Sequence, residues 1–221
     1  MSPVESPVES PAESPIMSPD PSLSFAHRFE PATAPGLPPL LLLHGTGGDE
    51  NDLLPLGRVV APGAALLSPR GKVLEGGMPR FFRRLAEGVF DEADVRRRAA
   101  ELADFIAEAR AAYGLSAPVA VGFSNGANIA AAVLLTRPEA LAGAVLLRPM
   151  VPLPDAAPAG LAGKRVLMLS GSGDPIVPAG NAARLAATLA AGGAAVAHET
   201  LPVGHGLSQA DVELARRWFA A

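Results

Sequence analysis

The group of residues best placed to do chemistry is Gly122-Phe123-Ser124-Asn125-Gly126, a G-x-S-x-G pattern that follows an apolar strand-like run at 119–123 and precedes a helical run. A serine on a tight strand-to-helix turn projects its hydroxyl outward, and small residues on either side let the neighbouring backbone pass. A hydroxyl needs a base, and the chain holds four histidines: His27, His44, His198 and His205. His205 lies in the flexible stretch Pro202-Val203-Gly204-His205-Gly206, after the last strand-like run and before the final helical one, where its imidazole can swing toward Ser124. His198 sits within a strand pattern, His27 precedes the core, and His44 precedes the nucleophile and reads as a loop-holding residue. The base in turn needs a carboxylate to fix its tautomer and support its charge. Asp174, in residues 170–178 after the strand-like run at 166–170, fills that role by position. A turn or N-cap aspartate is the plainer reading of an Asp beside Gly and Pro, and Asp155, in the Pro-rich segment 152–158, is the rival carboxylate.

Acyl transfer also needs donors for a developing oxyanion. The helix after Ser124 turns its first amide, that of Asn125, toward the site. A second glycine-rich loop, His44-Gly45-Thr46-Gly47-Gly48, follows the first strong strand, and the Thr46 amide is the expected second donor. The same loop read as a phosphate cradle lacks the Lys-[Ser/Thr] ending of a P-loop and the G-x-G-x-x-G spacing of a dinucleotide fold.

These residues sit on an alternation of strand-length apolar runs with longer helical stretches, which implies βαβ units and a mainly parallel central sheet flanked by helices. Strands are expected at 40–43, 64–68, 119–123, 144–147, 166–170 and 195–201. Helices are expected at 95–113 (stopped by Gly114), 125–136, about 179–191 and 208–220. Residues 71–94 carry Gly76, Gly77, Met78, Pro79 and Phe81-Phe82 without a clean period, and read as a long loop walling the substrate site. Residues 2–22 repeat Ser, Pro and Glu with little to bury, so 1–23 is expected to be a disordered tail and 24–221 the folded domain.

At 221 residues, 49% of them hydrophobic and 18% charged, the chain can bury one full core. A net charge of −4 without long runs of one sign argues against a nucleic-acid surface. The absence of cysteine removes disulfides, thiolate metal sites and a Cys nucleophile. No signal segment and no apolar run near the ~20 residues of a bilayer span is apparent, so a cytoplasmic protein without stable membrane insertion is expected.

The blocks LLLHGTGGDENDL (41–53), FFRRLAEGVFDEADV (81–95), VGFSNGANIAA (121–131), LRPMVP (147–152), GSGDPIVP (171–178) and GHGLS (204–208) together resemble the phospholipase/carboxylesterase group of α/β-hydrolases, which includes acyl-protein thioesterases. The similarity is strongest to its bacterial carboxylesterase branch. The resemblance implies an α/β-hydrolase fold, maps Ser124, Asp174 and His205 onto the triad and Thr46 with Asn125 onto the oxyanion hole, and implies neither metal nor cofactor. Asn125 stands where acyl-protein thioesterases usually carry Gln, so depalmitoylation is not implied.

Residues 147–164 hold no long apolar insertion, so no large cap domain is expected and the pocket should be open. Leu53, Met78, Phe81 and Phe82 are expected to border a short acyl chain or aromatic ring. Arg148 is expected to face the substrate, or else to pair with an Asp or Glu on the surface. The function expected is hydrolysis of small or short-chain carboxylic esters, with thioesters and a homodimer left open. The alternative is a non-catalytic ligand-binding protein on the same scaffold.

Overall fold

Leu40–Leu43, Gly143–Leu147 and the stretches 119–122 and 166–170 are runs of consecutive buried residues rather than alternating ones. Such runs belong to parallel strands covered on both faces. The computed structural model, which describes residues 23–157, 159–178 and 180–221, builds its sheet from them. In chain order the elements are β1 (His27–Glu30), β2 (Leu40–Leu43), α1 (Leu54–Val60), β3 (Leu66–Pro69), β4 (Val73–Glu75), β5 (Met78–Arg80), β6 (Arg84–Ala86), β7 (Val89–Phe90), α2 (Glu92–Tyr113), β8 (Val119–Phe123), α3 (Asn125–Thr136), a 3₁₀ turn (Pro138–Ala140), β9 (Gly143–Leu147), β10 (Arg165–Gly171), α4 (Asn181–Ala191), β11 (Ala195–Leu201) and α5 (Gln209–Ala220). The main sheet has the order β1-β3-β2-β8-β9-β10-β11. All its pairs are parallel except β1 with β3.

Period-2 geometry sorts the sheet's side chains into two cores. Leu41, Leu43, Ala120, Leu146 and Met168 face α2, α3 and α4 on one side. Leu40, Leu42, Val121, Leu147 and Leu169 face α1 and α5 on the other. This is the α/β-hydrolase fold: a mainly parallel sheet flanked by helices, with no large cap over the strand ends among the described residues.

The structure departs from the sequence reading in several places. The segment 71–94 is not one loop. Gly76 and Gly77, both at positive φ (56° and 85°), form the two-residue turn of a β4–β5 hairpin, and a second hairpin pairs β6 with β7. Helix α2 starts three residues before the expected Val95, because the Asp91 side chain caps the Asp94 amide and polar Glu92 and Asp94 fill the first turn. Two elements have no sequence signal of their own. The antiparallel edge strand β1 has only Phe29 as a buried apolar residue. Helix α1 carries Gly57, which argues against a helix by propensity, while Pro55 falls in the first turn, where its missing N–H costs nothing. A Cβ on Gly57 would lie 2.9 Å from a Leu42 methyl and 3.0 Å from a Leu66 methyl, so glycine eases the close approach of α1 to the sheet.

Residues 1–22 of the expected tail lie outside the described residues, as do Pro158 and Ala179. Leu23, placed at the end of that tail, packs against the core. No helix among the described residues is long and apolar enough to cross a membrane.

Phe105, fully buried on α2 with its ring 5.0 Å from that of Phe25, anchors the first of the two cores. Phe105→Ala should cost about 3–5 kcal/mol, read as a lower urea midpoint at unchanged slope.

Candidate active site

Parallel strands end at one edge of the sheet, and five adjacent strands deliver polar residues there in spatial order. The Gly-rich loop 44–48 follows β2, Ser124 follows β8, Arg148 follows β9, Asp174 lies three residues past β10, and His205 follows β11.

Ser124 has φ 52° and ψ −112°, a conformation a side-chain-bearing residue holds only where its surroundings impose it. The Ser124 amide donates to the Leu147 carbonyl at 2.8 Å and its carbonyl accepts the first helical bond, from Asn128 at 3.0 Å. The flanking glycines are sterically required. A Cβ on Gly126 would lie 1.9 Å from the Leu43 carbonyl oxygen, and one on Gly122 would lie 2.5 Å from that of Gly126. The G-x-S-x-G pattern is thus a record of three backbone segments packed without room for a methyl group.

The Ser124 hydroxyl lies 2.9 Å from His205 Nε2, and His205 Nδ1 lies 2.8 Å from Asp174 Oδ2. With Nδ1 protonated and donating to the carboxylate, Nε2 is left as acceptor for the serine proton. The other oxygen of Asp174 accepts the Ile176 and Val177 amides at 2.8 and 3.1 Å. Burial opposes ionisation of Asp174, but these amides and the imidazole outweigh it and hold its pKa below the usual carboxylate range. Asp174 is therefore both a turn-capping residue and the partner of the imidazole. Asp155 is exposed.

The remaining histidines are held elsewhere. His44 Nδ1 donates to the Gly45 carbonyl (2.7 Å) and Nε2 accepts the Gly71 amide (3.0 Å). Burial lowers its pKa, so it is a neutral brace of its loop. His27 bridges the Phe25 carbonyl and the Tyr113 hydroxyl. His198 meets the Ser170 hydroxyl at 2.9 Å, one strand over.

Asn125, the first residue of α3, presents an N-terminal amide with no intrahelical partner. In the facing loop Gly47 donates to Pro79 and Gly48 to Gly45, whereas the Thr46 amide has no carbonyl acceptor among the described residues. Both residues line a cleft of about 320 Å³ that also contains Ser124 and His205. The cleft therefore brings a hydroxyl and a base together with two residues whose backbone amides are not used in the fold's own hydrogen bonds among the described residues.

Of the residues expected to contact substrate, none lines this cleft. Leu53, Phe81 and Phe82 are core side chains, between 0% and 4% exposed, drawn inward because the strand ends beneath the site are apolar. Met78 is half-exposed and is the nearest side chain to Gly47. Arg148 is fully buried and pairs with Asp211, so the carboxylate-pairing alternative holds, although in the interior. The cleft wall is nonetheless the 71–94 segment, through other residues: Arg80, Arg84, Glu87, Gly88 and Phe90, faced by Phe123, Asn128, Met150 and Ile176.

Two residues missed by sequence reasoning, Arg80 and Asn128, together with the unanticipated side-chain bond of Asn125, tie this wall and its neighbours to the site. Buried Arg80 donates from Nη1 to the Thr46 hydroxyl at 2.7 Å, so β5 steadies the loop carrying that amide. Asn125 Oδ1 accepts the Phe81 amide at 2.7 Å. Asn128, one helical turn after Ser124 and thus on the same face of α3, accepts the Met150 amide at 2.7 Å. That i+4 spacing was readable in the sequence. The pairing of Arg80 with Thr46 was not.

The phospholipase/carboxylesterase family profile matches residues 30–220. A Bacillus subtilis (strain 168) protein named as the hydrolase MhqD is 46% identical over 195 residues, covering 87% of this chain and 96% of that one. The crystal structure of the Bacillus cereus carboxylesterase is 46% identical, with a TM-score of 0.88, over 90% of this chain and 95% of that one. The carboxylesterase from Mesorhizobium loti is 33% identical, with a TM-score of 0.86, over 94% and 98%.

Because the folded pKa of Asp174 lies below that of an unfolded aspartate (~3.9), its ionised contacts stabilise the fold fully above that value and stop doing so as pH falls through the folded value. The stability gap between wild type and Asp174→Asn should be widest at neutral pH and shrink below about pH 4. Urea midpoints taken from pH 7 to pH 3 measure this. A gap that stays constant would show that Asp174 is not shifted.

Proposed function

Because this chain belongs to the phospholipase/carboxylesterase family, we propose that it is a serine esterase that hydrolyses small carboxylic esters through an acyl-enzyme. The observation that carries this reading is the continuous chain from Ser124 Oγ to His205 Nε2 and from His205 Nδ1 to Asp174, at 2.9 and 2.8 Å, in a cleft lined by both Ser124 and His205.

On this reading Ser124 attacks the ester carbonyl carbon as His205 Nε2 takes its proton, and Asp174 supports the resulting imidazolium. The carbonyl oxygen becomes an oxyanion that accepts from the Asn125 and Thr46 amides, which are fixed before the reaction and need no reorganisation. Collapse expels the alcohol, protonated by His205, and leaves Ser124 acylated. Water, deprotonated by the same imidazole, then releases the acid. A thioester follows the same course with a thiol as leaving group.

The cleft volume of about 320 Å³ is at the small end of ligand pockets. Phe90, Met150 and Ile176 offer it an apolar lining, and Arg80, Arg84 and Glu87 a polar one. Small acyl groups therefore fit the cleft, while longer chains extend into solvent and gain little further burial.

Ser124→Ala should lower kcat by a factor on the order of 10⁶, and Asp174→Asn by up to about 10⁴, whereas Asp155→Asn should leave it unchanged. Steady-state hydrolysis of p-nitrophenyl acetate by the purified variants decides the assignment. Full turnover by Ser124→Ala removes the serine mechanism, and equal losses at Asp155 and Asp174 remove the choice of carboxylate. Across p-nitrophenyl esters and matched thioesters graded by acyl length, kcat/KM should be highest for the shortest acyl groups. A maximum at long chains would contradict the reading of the cleft.

A further inference from the structure

Two buried charges beside the site take no part in the chemistry above. Arg148 and Asp211 are each 1% exposed and form a two-pronged ion pair, with Nη1 to Oδ1 at 2.7 Å and Nη2 to Oδ2 at 2.8 Å. The guanidinium has three donors left, and all are used. Nη1 also donates to the Leu169 carbonyl at 3.2 Å. Nε donates to the Gly204 carbonyl at 3.0 Å and Nη2 to the Gly206 carbonyl at 3.1 Å. Those last two residues immediately flank His205.

The opposite ends of this unit are equally fixed. Arg148 follows Leu147, whose carbonyl accepts the Ser124 amide, and the Arg148 amide donates to Leu169 at 2.8 Å. Its φ of 56° is one that a residue with a bulky side chain keeps only under constraint from its surroundings. Asp211 accepts the Ser208 amide and hydroxyl at 2.8 and 2.7 Å, closing the capping box of α5 just after the histidine loop. One guanidinium therefore spans from the backbone that holds the serine turn to both carbonyls around the imidazole.

We propose that Arg148 and Asp211 are positioning residues for His205: the clamp fixes the loop 204–206 relative to the Ser124 turn and so sets the Ser124–His205 separation. This inference rests on the proposed role of His205. A buried ion pair is poor evidence for stability in itself, since apolar residues of similar volume often replace one without loss. The clamp's specific property is geometric. Five donors in a rigid plane meet five acceptors, and two of those acceptors bracket the base. A displacement of the base by about 1 Å costs up to about 10²-fold in rate.

The test is the double variant Arg148→Met/Asp211→Leu, which leaves no orphaned charge in the interior. It should fold, as read by circular dichroism, with kcat lowered about 10- to 100-fold and KM within about threefold of wild type. A second readout needs no turnover. In ¹⁵N-histidine-labelled protein the His205 Nδ1 proton, hydrogen-bonded to Asp174, should give a downfield resonance in wild type that broadens or vanishes in the variant. Merely destabilising the fold would change neither kcat nor that resonance under native conditions. The proposal is overturned if the folded variant keeps either its kcat or its resonance. If the double variant does not fold, Arg148→Lys, which keeps a cation beside Asp211 but cannot reach both flanking carbonyls, is judged by the same pair of readouts. Wild type and Ser124→Ala are assayed alongside. Inactive wild type or active Ser124→Ala would sink the esterase reading instead, and the resonance alone would then decide the clamp.

Discussion

The strained turn at Ser124 is the constraint on which the rest of the site depends. A side-chain-bearing residue at φ 52° does not persist without compensation. Here the compensation is close packing of the β8–α3 junction against the end of β2, with no space for a Cβ at Gly122 or Gly126. The same packing puts the N-terminus of α3 next to the loop after β2, so that Asn125 and Thr46 line one cleft. Adjacent parallel strands bring the imidazole and the carboxylate to the same edge. The geometry around the hydroxyl is therefore a consequence of sheet order, and the loops need only refine it.

Much of this was legible in residue order alone. A parallel strand buried on both faces announces itself as an apolar run, and Leu40–Leu43 and Val119–Phe123 fall where the runs placed them. The positions of Ser124, Asp174 and His205 could be read because each lies within four residues of a strand's end, in a chain with few histidines. What was not legible depended on tertiary contact. Apolar character alone could not tell a pocket wall from the layer below it, so Phe81 and Phe82 were assigned to the substrate, whereas they pack beneath the site and Phe90 lines it. Nor could sequence say where Arg148 would find its carboxylate, because Asp211 is 63 residues away. The hairpin at 73–80 is a different case: Gly76-Gly77 between short strand-like runs was a sufficient signal.

Charge in the site is arranged by depth. At the mouth, Arg84 and Glu75 form a partly exposed pair, which contributes little energy but shapes the rim. Further in, Arg80 is nearly buried and shares Glu75 at 3.3 Å. Burial pulls its pKa down while that carboxylate supports its charge. Deepest, Arg148 and Asp211 neutralise each other completely. The hydroxyl and imidazole thus sit between a solvated polar rim and an ion pair sealed off from water.

The two hairpins between β3 and α2 have hydrogen-bond ladders of their own, so they form an arm grafted onto the sheet rather than part of it. Three bonds tie the arm to the loops after β2 and β8: Arg80 to Thr46, the Gly47 amide to Pro79, and the Phe81 amide to Asn125. All three land on residues of the two amide-bearing loops or their immediate neighbours. An arm transplanted from a relative would remodel which molecules enter, and it would disturb turnover as well unless the donor segment reproduced these attachments. On the esterase reading proposed above, residues 79–81 join the cleft wall to the loops beside Ser124, so laboratory exchange of the arm has its natural boundaries on either side of that anchor.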